Sequence, residues 1–132
     1  MANEYADRTT LRSPLGRVRG LGAAHSGVRH WWLQRVTSAA LLPLTLWFAI
    51  SVALLAGAGH AETVAWIARP WNAVLLLLTI GLTFHHLAAG VQVIIEDYAN
   101  QEWVKVAGIL AVKAICWVLA LAAALAVLRI AV

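Results

Sequence analysis

The sequence predicts an all-α integral membrane protein with three transmembrane helices. Of its 132 residues, 62% are hydrophobic and only 12% are charged, whereas a soluble domain is about half apolar and about a quarter charged. The mean hydropathy is +0.79. Three apolar segments are each long enough for a bilayer, which needs about 20 consecutive apolar residues. These observations exclude a disordered chain, a disulfide scaffold and a typical soluble enzyme.

The order of the elements follows from where the apolar segments begin and end. Residues 1–28 contain arginines, glycines and Pro14 without a clear period, which predicts an extended N-terminal arm. Residues 29–132 are predicted to form the membrane part, with spans at about 36–58, 71–95 and 104–128. Pro70 directly precedes the second span, as suits the start of a helix. The segment GAGHAETVAWIARP between the first two spans has room for one short interfacial helix.

The basic residues predict the orientation of the chain. Six of the ten lysines and arginines precede the first apolar segment, namely Arg8, Arg12, Arg17, Arg19, Arg29 and Arg35. Loops rich in these residues stay on the cytoplasmic side. The loop after the first span carries only Arg69, and the C-terminal tail carries only Arg129. We therefore expect a cytoplasmic N-terminus and an outward-facing C-terminus.

Two adjacent histidines, His85 and His86, lie near the middle of the second span, where an ionisable residue usually marks a site or a partner. On a helix, Gly90 and Asp97 lie on nearly the same face as His86, with Asp97 roughly 16 Å along the axis. His85 shares a rival face with Gln92, so periodicity leaves both histidines open. Gly90 favours His86, because a flat macrocycle needs room beside its ligand and haem iron takes neutral imidazole. The alternative is a histidine pair that hydrogen-bonds to neighbouring helices.

Only one deep histidine face is available, so a six-coordinate haem would need its second histidine from another chain. Zinc would need three or four ligands, and the sequence has no second intramembrane cluster to provide them. The single cysteine, Cys116, excludes an internal disulfide and is interpreted as a small packing residue in its apolar segment.

Polar residues at the membrane edge form a second candidate site. Asp97 and Tyr98 follow the second span and are either a solvated acidic turn or the polar end of an apolar crevice. A tyrosine hydroxyl can donate to a quinone carbonyl, and a carboxylate can orient or move protons. Arg35 either extends its side chain to the interface to set topology or pairs with a haem propionate or a quinone site. Lys113 is interpreted as an interfacial lysine without a catalytic role.

Two segments together resemble the small membrane-anchor subunit family of succinate dehydrogenase, respiratory complex II. The first reads HLAAGVQVIIEDY from His86 to Tyr98, with a glycine four residues after the histidine and Asp-Tyr beginning eleven residues after it. The second reads SGVRHWWLQRVT from Ser26 to Thr37 and resembles the start of the family's first helix. The resemblance extends from about Leu15 to the C-terminus. One departure is Arg29-His30, where some members have His-Asp, so no role is transferred there.

The resemblance implies an anchor chain of a bacterial succinate:quinone oxidoreductase in the inner membrane, with a periplasmic C-terminus. Its three helices would form half of a heterodimeric haem-binding bundle, completed by a second cytochrome b anchor chain. Both anchors would dock the flavoprotein and iron–sulfur subunits and share one b-type haem. His86 matches the haem ligand position, Asp97 and Tyr98 match the ubiquinone site, and Arg35 matches an arginine near the haem propionates and the quinone pocket.

Two other functions remain open on the residues. One is a b-haem anchor of a fumarate reductase or another membrane dehydrogenase, although such anchors often use several intramembrane histidines. The other is a cofactor-free small transporter or assembly protein, for which an intramembrane carboxylate or an internal repeat would be expected. On each reading that involves succinate, this chain carries no succinate chemistry itself, because electrons would pass from a flavin through iron–sulfur centres on partner chains.

Overall fold

The computed structural model describes residues 27–132, and this part of the chain contains helices and no strand. Its four helices, numbered here in chain order, are α1 Gly27–Leu54, α2 His60–Ile67, α3 Pro70–Tyr98 and α4 Glu102–Ala131. The predicted all-α class is therefore confirmed. Residues Trp32–Val132 form one compact unit, which holds most of α1 and all of the other three helices. Most of the predicted N-terminal arm lies outside the described residues.

Three of the helices are long and apolar enough to cross a bilayer. Helices α1, α3 and α4 contain 28, 29 and 30 residues, which exceeds the roughly 20 residues that a transmembrane helix needs. A helix of this excess length tilts or extends into the headgroup layer. The chain is therefore a multi-pass membrane protein, as its composition predicts.

The connection between α1 and α3 differs in detail from the sequence prediction. Helix α1 ends at Leu54, before the predicted end of the first span near residue 58. The reason lies at Gly57, whose φ of +90° is in the left-handed region that favours glycine and that ends a right-handed helix. The short helix α2 follows, and the Glu62 carboxylate accepts a hydrogen bond from the Gly59 backbone N–H at 3.3 Å.

Two contacts fix this connection against the long helices. The rings of Trp47 on α1 and Trp66 on α2 stack with their centroids 5.7 Å apart. The Asn72 side-chain amide donates to the Trp66 carbonyl at 2.8 Å. Pro70 begins α3, which agrees with its expected place at a helix start because a first-turn N–H has no partner to lose.

The interior of this helical unit is narrow and is built largely from small side chains. The buried residues of the described chain are Thr37, Ser51, Ala73, Leu76 and Cys116. Small residues at helix contacts allow backbones to approach closely in a membrane protein. Cys116 is the buried residue of α4, which agrees with its interpretation as a packing residue.

Helices α3 and α4 approach closely near the turn that joins them. A Cβ atom built on Gly108 of α4 would lie 3.5 Å from two side-chain carbons of Ile95 on α3. Many large apolar side chains of the long helices are exposed instead, among them Leu42, Leu110 and Trp117. Such outward faces suit a surrounding of lipid or of further membrane helices, since neither requires polar groups.

Candidate functional site

The His86 ring lies half-buried between α3 and α1 and contacts two polar side chains of α1. Its Nδ1 atom is 3.0 Å from the Thr37 hydroxyl. Its Nε2 atom is 3.3 Å from the Gln34 side-chain nitrogen. His85, by contrast, is exposed and makes no hydrogen bond within the described chain. The structure therefore separates the two histidines that periodicity leaves equivalent.

Helix α1 presents both partners on one face because Gln34 and Thr37 are three residues apart. Thr37 is buried, with 5% of its surface exposed. Its hydroxyl lies 2.8 Å from the Leu33 carbonyl and 3.1 Å from the Gln34 carbonyl. This bond back along the helix is a common arrangement for threonine in transmembrane segments, and it fixes the position of the oxygen atom that faces His86.

The protons of this cluster can be assigned from its donors and acceptors. A threonine hydroxyl has one proton and two lone pairs, and the shortest contact of Thr37 is to the Leu33 carbonyl at 2.8 Å. With the proton donated there, the Thr37 oxygen accepts a hydrogen bond from His86 Nδ1–H. A neutral imidazole then carries its lone pair on Nε2, which accepts from the Gln34 amide group.

The Gln34 carboxamide lies beside both His86 and Gly90. A Cβ atom on Gly90 would lie 3.5 Å from the Gln34 side-chain nitrogen, so the gap expected beside Gly90 holds this side chain. The Gln34 Oε1 atom is buried and has no hydrogen-bond partner within the described residues. An unpaired buried acceptor costs about 1–3 kcal/mol, so the carboxamide is incompletely satisfied where it lies.

The other predicted site residues lie apart from this cluster. Asp97 and Tyr98 are at the end of α3, roughly 16 Å along the helix axis from His86. Both are exposed, Tyr98 by 82%, and neither makes a hydrogen bond to a described residue. Arg35 is exposed on α1 next to Gln34. The structure therefore places His86 in contact with α1 and leaves Asp97 and Tyr98 exposed at the end of α3.

Two further polar residues of the spans, Gln92 and Lys113, lie away from this cluster. Gln92 donates to the Glu96 carboxylate at 2.7 Å on the face that His85 shares. Lys113 is exposed on α4. Across residues 27–132, no three His, Cys, Asp or Glu side chains gather as a group that could hold a metal ion. On α3, the imidazole whose two ring nitrogens both contact side chains of another helix is that of His86.

Sequence reasoning did not single out Gln34 or Thr37 as site residues. Both occur in the segment that carries the family resemblance, and both are polar residues at helical spacing near the start of an apolar span. That spacing could have indicated a polar face on α1. Their contact with His86, 49 and 52 residues away along the chain, is a tertiary feature that no local pattern contains.

Comparison with known proteins decides the family. Residues 9–120 match the model of the succinate dehydrogenase/fumarate reductase transmembrane subunit family. The chain belongs to this family. The matched region of this family member includes Gln34, Thr37, His86, Asp97 and Tyr98, and the resemblance stated from the sequence is confirmed.

Individual relatives of this family member agree with one another. The succinate dehydrogenase hydrophobic membrane anchor subunit of Rickettsia bellii is 32% identical over 104 residues, which are 78% of this chain and 82% of the relative. The protein of the same name from Paracoccus denitrificans is 34% identical over 86 residues, 65% of this chain and 67% of the relative. The membrane anchor subunit from Reclinomonas americana is 31% identical over 68% of this chain and 78% of its own length. No solved structure matches the chain.

Proposed function

We propose that this membrane anchor belongs to a succinate:quinone oxidoreductase, shares a b-type haem with a second anchor chain and forms part of the quinone-reduction site. Family membership and the names of the relatives support the anchor role. The observation that carries the haem assignment is the half-buried His86 ring, whose Nδ1 is 3.0 Å from the Thr37 hydroxyl; in the tautomer that donates to Thr37, Nε2 carries the lone pair.

The residues around His86 fit a haem. A neutral imidazole is a ready axial ligand of haem iron, and Gly90 leaves the adjacent turn of α3 without a side chain. In the bound state His86 would hold the iron through Nε2, and Arg35 would pair with a propionate or lie at the quinone pocket. Haem supplies one-electron chemistry when it is bound. Because His86 is the histidine of α3 that contacts polar side chains in the described chain, a second histidine ligand would come from the second anchor chain.

The quinone site is assigned to the end of α3. Tyr98 is exposed and its phenol is a neutral donor suited to a quinone carbonyl. Asp97 precedes it and would hold or deliver a proton there. Between His86 and Ile95 the helix is apolar except for the Gln92 side chain, so a quinone that moves along this stretch of the membrane reaches polar partners at its end. Ubiquinone is the proposed electron acceptor.

The orientation proposed for the chain places this site near the soluble subunits. The arginines that precede the first span indicate a cytoplasmic N-terminus and a periplasmic C-terminus in a bacterial inner membrane. The turn between α3 and α4 is then cytoplasmic, where the iron–sulfur and flavoprotein subunits would dock. The exposed apolar faces of the long helices would contact lipid and the second anchor chain.

Two measurements test this proposal. Mass spectrometry of the complex purified in mild detergent should find a flavoprotein, an iron–sulfur protein and a second hydrophobic chain with this one, and purification without them would contradict the anchor assignment. A reporter fused after Val132 should report a periplasmic location. A cytoplasmic signal would contradict the proposed orientation.

The family description also includes fumarate reductase, which is the second candidate function. The purified complex separates the two by the direction of its reaction. Oxidation of succinate with quinone as acceptor that is faster than quinol-driven fumarate reduction supports the first candidate, and the opposite ratio supports the second.

A further inference from the structure

We infer that Thr37 is a positioning residue that sets the tautomer and the ring orientation of His86, so that Nε2 faces the haem iron. The Gln34 amide lies 3.3 Å from the same nitrogen and would give up that contact to a bound iron. This inference rests on the proposed function, since it assumes that His86 is the ligand.

The first step is that Thr37 has a fixed oxygen atom. Its hydroxyl is bonded to the Leu33 carbonyl at 2.8 Å and is buried with 5% exposure. A β-branched side chain in a helix is also restricted in χ1. The oxygen 3.0 Å from His86 Nδ1 is therefore held by the backbone of α1 and is a rigid acceptor for the ring.

The second step is that this acceptor selects one tautomer. A metal-bound histidine commonly donates its other ring N–H to a fixed acceptor, which orients the ring and makes the ligating nitrogen more basic. Thr37 provides that acceptor from a different helix, so the hydrogen bond also joins α1 to α3 at the site. His85 has no such partner among the described residues, which explains why one histidine of the pair is prepared as a ligand.

The third step concerns the position of Gln34. Its amide nitrogen is 3.3 Å from His86 Nε2, a long contact for a hydrogen bond. Its carbonyl oxygen is buried without a partner in the described part of the chain. The Gln34 carboxamide is therefore held weakly, because its nitrogen makes one long contact and its oxygen makes none among the described residues. It is the group that would give way if iron took the Nε2 lone pair.

The test uses the whole purified complex and compares Thr37→Val with Thr45→Val. Valine keeps the shape of threonine and removes the hydroxyl. Thr45 is a matched control, because its hydroxyl makes the same bonds back along α1, to Leu41 at 2.7 Å and Leu42 at 3.1 Å, but faces no histidine. The readouts are haem content during washing, the midpoint potential of the haem and its low-spin electron paramagnetic resonance spectrum.

Thr37→Val should weaken haem retention by about 10–100-fold, the usual effect of removing a group that orients a metal ligand. The midpoint potential should rise, because a less basic imidazole stabilises ferric iron less. Thr37→Ser should restore both values, and Thr37→Cys, with a weak acceptor, should lie between serine and valine. Thr45→Val should match the wild type. If Thr37→Val does not assemble, the serine and cysteine variants still give the ordered shift in potential.

Gln34→Ala distinguishes tautomer control from simple packing. On this inference the alanine variant keeps its haem and its potential, because the iron and the Gln34 amide would compete for the same Nε2 lone pair and Gln34 would not contact His86 in the complex that holds haem. Equal loss of haem in Gln34→Ala and Thr37→Val would overturn the inference and indicate general packing between α1 and α3. A wild-type spectrum and potential in Thr37→Val would also overturn it. Failure of the proposed function would give a different result, because the complex would then contain no haem whose binding depends on His86.

Discussion

Two candidate sites on α3, one at His86 and the other at Asp97 and Tyr98, differ in how many of their neighbours this chain provides. His86 is half-buried and both of its ring nitrogens contact side chains of α1. Asp97 and Tyr98 are exposed and have no hydrogen-bond partner within residues 27–132. The proposed ligand position is thus organised by contacts within this chain, whereas the proposed quinone end has no such contacts among the described residues. This contrast predicts that substitutions near His86 affect cofactor binding and substitutions near Tyr98 affect turnover.

The largest effect is expected from a side chain added next to His86. Gly90→Val should abolish or strongly reduce haem binding, because its methyl groups would crowd the space beside His86, where a Cβ atom already lies 3.5 Å from the Gln34 side-chain nitrogen. Gly81→Val is the matched control on the same helix, since a Cβ there meets nothing within 4 Å. The measurement is haem per assembled complex. Equal haem in both variants would show that the space beside Gly90 is not used.

A smaller and different effect is expected from the charge at the exposed end. Asp97→Asn should reduce quinone reduction by about tenfold or more, since a hydrogen bond to a charged group contributes about 1.5–3 kcal/mol. Haem content should stay normal, which separates the two ends of α3. Glu96→Gln is the control, because it removes a neighbouring charge that is already engaged with Gln92. Similar losses in both variants would point to surface charge instead of a specific role.

The smallest effect is expected from removal of the Tyr98 hydroxyl, which is a neutral hydrogen-bond donor. Tyr98→Phe removes one hydroxyl, and one hydrogen bond to a neutral acceptor contributes about 1 kcal/mol, or roughly a fivefold loss of quinone reductase activity. Succinate oxidation with a soluble artificial acceptor should remain near normal. Unchanged quinone reduction in a complex with full haem and flavin content would make Tyr98 an interfacial anchor only.

The contrast between the two ends also explains what the sequence could and could not predict. The three long helices follow from apolar length, which is a local property, and so does the start of α3 at Pro70. The sequence predicts a first span to about residue 58 because small residues continue the apolar segment, whereas helix α1 ends at Leu54; the left-handed backbone at Gly57 is a conformation that composition does not show. The sequence does not indicate Gln34 and Thr37 as site residues, because their contact with His86 depends on which face of α1 meets α3.

The choice of His86 over His85 is the most informative case. Spacing alone left both faces open, and the preference for His86 came from Gly90 and from the family resemblance. The structure adds a physical distinction, since His86 Nδ1 lies 3.0 Å from the Thr37 hydroxyl while the His85 ring is exposed. The proposed quinone contacts of Asp97 and Tyr98 stay a prediction, because both side chains are exposed and make no hydrogen bond to a described residue.

The central claim is that His86 is the haem ligand contributed by this chain, and a reduced-minus-oxidised absorption spectrum of the assembled complex tests it most directly. His86→Ala should lose or alter the b-type bands, while His85→Ala, one residue away on an exposed face, should keep them. Both variants should be compared at equal content of the partner subunits. An unchanged b-type spectrum in His86→Ala, or its loss in His85→Ala alone, would contradict the account.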